Sequence, residues 1–89
     1  MVKIQYLKQL NKFHVMLGSP QRFEESWLEG MSVIDVEGGI GALMCTEEQY
    51  LGLMTKMMEA VDPQSQEFYV LKDTANQFLL YAVKAQLCG

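Results

Sequence analysis

The chain is expected to adopt an α+β fold, a small antiparallel sheet packed by helices, in one compact domain spanning residues 1–89. Three features carry that expectation. Ser32–Val36 is β-branched and Ile40–Cys45 is apolar, and Glu37-Gly38-Gly39 between them can supply the positive φ angles of a tight hairpin. Residues 47–61 place Tyr50, Leu51, Leu53, Met54, Met57, Met58, Ala60 and Val61 on one half of a helical wheel. Apolar residues make up 49% of the chain and there are only two prolines, a composition that folds rather than stays disordered. A chain this small buries roughly 60–65% of its unfolded surface, enough for one thin core.

Taken in order, residues 5–17 predict a first helix. Tyr6, Leu7, Leu10, Phe13, His14 and Leu17 recur at three- and four-residue spacings, with Gln5, Lys8, Gln9 and Lys12 opposite. Gly18 stands where a left-handed cap would end it. Ser19-Pro20 then predicts a second, short helix over 20–29, with Glu24 and Glu25 in its first turns and Phe23 and Trp27 on its apolar side. The hairpin follows, and Gly41 inside its second strand marks a bulge or a close approach. Thr46-Glu-Glu-Gln49 matches a capping box opening the amphipathic helix. Asp62-Pro63 stops that helix, because the residue before proline is pushed out of the α region. Glu67–Leu71 reads as a possible third strand, with Asp73 capping a C-terminal helix to about Leu87. A single long helix from Pro63 is the rival; it draws Lys72 into the apolar stripe and sends Val70 to the polar face. The last helix is apolar nearly all round, which requires either a central position or cover from another chain.

Charge is segregated along the chain. The first 22 residues hold Lys3, Lys8, Lys12 and Arg22 and no acid, whereas Glu24, Glu25, Glu29, Asp35, Glu37, Glu47 and Glu48 follow without a base before Lys56. The net charge is −4. Such asymmetry selects which partners approach, without naming them.

Signatures of chemistry are sparse. Gly38, Gly39 and Gly41 lack both the Lys-Ser/Thr of a phosphate loop and the spacing of a dinucleotide fingerprint, so turn chemistry explains them. His14 and Cys45 are the one conceivable nucleophile pair, with no orienting motif around either. One histidine and two distant cysteines, Cys45 and Cys88, do not make a zinc site, and they read as reduced thiols. Glu24–Glu25 and Glu47–Glu48 are accounted for by helix N-termini. No cofactor is expected.

The leading functional expectation is a non-catalytic protein-binding module: a regulator, adaptor or inhibitor. It would form a homodimer through Phe78, Leu80, Tyr81 and the Met54, Met57 and Met58 group, since monomers seldom leave wide apolar patches bare. A second expectation gathers the seven central acids on one surface as a nucleic-acid mimic that blocks a nucleic-acid enzyme. Phage and plasmid antagonists of that kind offer an analogy of class only. A third is a small enzyme using His14 and Cys45. Direct nucleic-acid binding through Lys8 and Lys12 is disfavoured by the net charge. Lys3, Gln5, Lys8 and Gln9 interrupt any leader-like apolar run, and no stretch is long enough to span a bilayer, so a cytoplasmic location is expected.

Overall fold

The computed structural model describes residues 2–88. Four strands form one antiparallel sheet: β1 (Lys3–Leu7), β2 (Lys12–Gln21), β3 (Ser32–Val36) and β4 (Gly39–Cys45), in the spatial order β1-β2-β4-β3. Two helices follow, α1 (Glu47–Glu59) and α2 (Gln66–Cys88). The class is therefore α+β, with a larger sheet and fewer helices than the sequence suggests.

The largest departure is at the N-terminus, where a β-hairpin replaces both expected helices. Phe13, Val15 and Leu17 alternate at a spacing of two, and all three are buried. Cross-strand pairing of Phe13 and Val15 with β1 on one side and β4 on the other satisfies the backbone there. Tertiary burial thus overrides a helical wheel that the same apolar residues also fit. The turn between β1 and β2 is closed by Leu10 N–H to the Leu7 carbonyl at 3.0 Å. Asn11 exits it at φ 51°, a left-handed conformation that asparagine tolerates. Gly18 does take up positive φ, at 82°, but it relieves a register break in β2 between Met16 and Gln21 rather than capping a helix. Of the expected second helix only a single 3-10 turn remains, Glu25–Leu28. Trp27 and Leu28 turn inward from it, half-buried against the core.

The hairpin of β3 and β4 forms in the expected place, with Val36 opposite Gly39 and a bulge after Ile34. The capping box also forms. Thr46 N–H donates to Gln49 Oε1 at 2.9 Å, and Gln49 N–H donates to Thr46 Oγ1 at 3.1 Å. The Gln49 amide also donates to the Gly30 carbonyl at 3.1 Å, pinning the start of α1 to the loop before β3.

The expected strand over Glu67–Leu71 is helical, so the single long helix is the right reading. Its first turn is capped by Ser65, whose Oγ accepts from Phe68 N–H at 3.2 Å; Asp73 caps nothing and lies in mid-helix. Leu71, Ala75, Phe78 and Ala82 then face inward at helical spacing, with Phe68 half-buried ahead of them, while Lys72 stays exposed. Both helices pack on one face of the sheet, against Phe13, Val15, Leu43 and Cys45. Phe78 is the centre of that layer, with its ring 5.0 Å from Phe13 and 4.4 Å from Tyr50, centroid to centroid. Among the described residues no helix is long and apolar enough to cross a membrane.

Candidate functional site

Because α2 is helical from Gln66, its outward residues fall into register along all its length. Tyr69, Asp73, Asn76, Leu80, Val83 and Leu87 succeed one another at alternating spacings of four and three, the repeat of a helix–helix seam. Leu80 is 67% exposed, Val83 52% and Leu87 82%. The apolar part of this stripe lies opposite the buried Phe78 face, and none of the described residues covers it.

The residues expected to mediate self-association divide accordingly. Leu80 is on the stripe. Phe78 and Met54 are enclosed in the protein's own core and have no surface to offer a partner. Met57 and Met58 are half-buried, and Tyr81 is half-buried with its hydroxyl accepting from Tyr6 N–H at 3.0 Å. Val83 and Leu87 join Leu80 on the stripe. Their signal is an i, i+3, i+7 series from Leu80, present within the C-terminal helix expected to about Leu87; the long helix extends it back to Tyr69.

The seven central acids are distributed over several elements. Glu37 is in the turn at one end of β4 and Glu47 and Glu48 begin α1 beyond the other end. Six strand steps at about 3.3 Å separate those ends by about 20 Å. Glu24, Glu25 and Glu29 lie along the connection from β2 to β3, and Asp35 on the edge strand.

His14 and Cys45 also fail to meet. Cys45 is paired with Phe13 and shares its buried face, so the adjacent His14 projects from the opposite face. Burial pushes the Cys45 thiol up to about 11, away from the thiolate that nucleophilic chemistry needs. Tyr50, also fully buried, is raised to about 12 by desolvation and then by the nearby Cys45. Its hydroxyl has no hydrogen-bond partner. An open cleft of about 400 Å³ runs between the helices and the end of β2, lined by Leu17, Phe23, Tyr50, Met54 and Leu71 among others. No charged side chain lines it. Among the described residues no three His, Cys, Asp or Glu side chains come together as a metal site.

The second exposed apolar surface is the sheet face away from the helices. The pairing register sets Lys3, Met16, Ala42 and Ile34 in one cross-strand row, and Gln5, His14, Met44 and Ser32 in the next. Ile34 is 53% exposed and Met16 38%.

Comparison with known proteins returns no match to any family model, curated protein or solved structure.

Proposed function

We propose that this chain is a non-catalytic protein-binding module that pairs with a second copy of itself through the outer stripe of α2. The observation that carries the reading is the exposure of Leu80, Val83 and Leu87 in a continuous seam on one helix. Isolated exposed leucines are ordinary on protein surfaces, whereas a spaced series on one helix face is the pattern that helix pairing buries.

Surface area supports the same reading. The chain exposes 6106 Å², while a folded monomer of 10.1 kDa exposes about 5,300 Å² by mass scaling. The excess is about 800 Å², close to what one partner contributes to a standard interface. Charge supports it as well. Asp73 and Lys84 lie on the same side of α2 as Leu80, so an antiparallel copy can set opposite signs against each other. A two-fold interface needs this kind of self-complementarity.

Size-exclusion chromatography with light scattering tests the proposal. The wild-type chain is expected to run as a dimer at micromolar concentration. The double variant Leu80→Glu/Leu87→Glu is expected to run as a monomer with an unchanged circular-dichroism spectrum, because both side chains are already outside the core. A wild-type monomer at tens of micromolar removes the proposal.

A further inference from the structure

The uncovered sheet face differs in charge from the rest of the molecule. Eleven acids outnumber seven bases in the chain, yet no strand contributes an acid to this face. The only acid in any strand is Asp35, one position from Ile34, and alternation turns it to the other side. The strand cations do project here. Lys3 is paired with Met16, and Lys12 with Leu7, in the same alternating set as His14 and Met16. The surface is thus an apolar centre of Met16, Ile34, Val36 and Met44 with lysines along its β1–β2 side. In its middle row sits half-buried His14, whose Nε2 is enclosed without a hydrogen-bond partner.

We infer that this face docks an acidic amphipathic segment of a different protein, apolar side chains against Met16, Ile34 and Met44 and carboxylates toward Lys3 and Lys12. Three alternatives are weaker on the same observations. A second copy placed face to face would set the two lysines against their own counterparts with no acid between them, because a two-fold contact repeats the same patch. Two cations are too thin a footprint for a nucleic acid, and the net charge of −4 opposes any polyanion. Strand addition at an edge is also obstructed. The outward N–H of Tyr6 on β1 is taken by Tyr81, and β3 is a short edge of five residues that carries the charged Asp35, devices that blunt an edge. What remains open is the face. It lies on the side of the sheet away from α2, so this inference stands whether or not α2 pairs.

Methionine methyl resonances separate the two sides of the molecule: Met16 and Met44 report the open face, Met57 and Met58 the helix side. The probes are two synthetic helical peptides of about 18 residues, about 27 Å long and enough to cross four strands at about 4.8 Å spacing. They share one leucine stripe, and their polar faces are all Glu or all Lys. The Glu peptide is expected to shift Met16 and Met44 and to weaken at least about tenfold when salt rises from about 50 mM to about 500 mM. The Lys peptide is expected to leave them unmoved. Lys3→Glu/Lys12→Glu should exchange the two preferences, and the monomeric Leu80→Glu/Leu87→Glu chain should keep the wild-type response. The inference is overturned if neither peptide moves Met16 and Met44, if both move them equally, or if only Met57 and Met58 respond. It is also overturned if phosphatidylglycerol vesicles move Met16 and Met44 while the Glu peptide does not, since a lipid surface would then be the occupant.

Discussion

The Tyr81 hydroxyl accepts a hydrogen bond from the backbone N–H of Tyr6 at 3.0 Å, joining residues 75 positions apart. β1 is an edge strand, and an outward N–H on such a strand has no ladder partner. A side chain from α2 supplies one, and the ring of Tyr81 packs edge-on to Phe13 at 6.4 Å. One residue therefore fastens the last helix to the first strand and closes part of the edge. Tyr81→Phe keeps the ring and removes the acceptor. It is expected to lower unfolding free energy by about 1 kcal/mol, the net worth of such a bond, read as a drop in urea midpoint at constant slope.

Phe78 and Leu80 are two positions apart on α2 and belong to different surfaces. Phe78 is fully enclosed between Phe13 and Tyr50, so Phe78→Ala should cost about 3–5 kcal/mol through lost burial and a residual cavity. For a domain of this size that approaches the whole stability, and the variant is expected to be largely unfolded at 37 °C. Leu80→Ala should change the intrinsic stability of the protomer by no more than about 0.5 kcal/mol while weakening self-association. Denaturation of each variant across a range of protein concentrations separates the two effects, because only self-association makes the midpoint concentration-dependent.

The split between these neighbours shows what the sequence makes legible. Local signals with a mechanism of their own were readable: the Thr46/Gln49 capping box, the glycine turn before β4, and the amphipathic wheel of α1. The N-terminal hairpin was not, because Tyr6, Leu10, Phe13 and Leu17 satisfy a helical spacing as well as Phe13, Val15 and Leu17 satisfy alternation. Only pairing with β4, some thirty residues away, decides between them. The strand expected over Glu67–Leu71 failed for a related reason. Phe68, Tyr69, Val70 and Leu71 have strand-like composition, but Ser65 caps a helix whose inner face is completed by Ala75, Phe78 and Ala82. The open sheet face depends on both corrections, since it exists only once β1 and β2 are strands.

Glycine positions offer a paired test of the backbone. Gly52 lies within α1, and a Cβ there would meet nothing within 4 Å. Gly52→Ala should raise stability by about 0.5–1 kcal/mol, the gain expected when alanine replaces an exposed mid-helix glycine. Gly39 has φ +144°, and a Cβ would stand 2.5 Å from the Gln21 carbonyl oxygen. Gly39→Ala therefore forces β4 away from the end of β2, at a cost of at least about 1–3 kcal/mol. Thermal melts of the two variants should move in opposite directions.

Alkaline pH gives the last test, because two buried groups titrate above their ordinary range. Cys45 rises from 9.0 to about 11, through burial. Tyr50 rises from 10.0 to about 12, through burial and then repulsion from the Cys45 thiolate. Below pH 9 native and unfolded chains both hold these protons, so neither group makes stability depend on pH. Between about pH 9 and 11 the unfolded chain has released the Cys45 proton while the native chain keeps it. The native state then binds more protons, and unfolding free energy must fall as pH rises. Tyr50 extends the fall to about pH 12. Tyr50→Phe removes the upper part of that slope. It also removes a buried hydroxyl with no partner, so at pH 7 the variant should match or exceed the wild type, by up to about 1 kcal/mol. Urea titrations from pH 7 to 11.5 would show a wild-type decline that Tyr50→Phe shares up to about pH 10 and continues less steeply to about pH 11, where Cys45 alone drives it. A Tyr50→Phe variant less stable than wild type at pH 7 would mean that the hydroxyl has found a partner, such as a buried water.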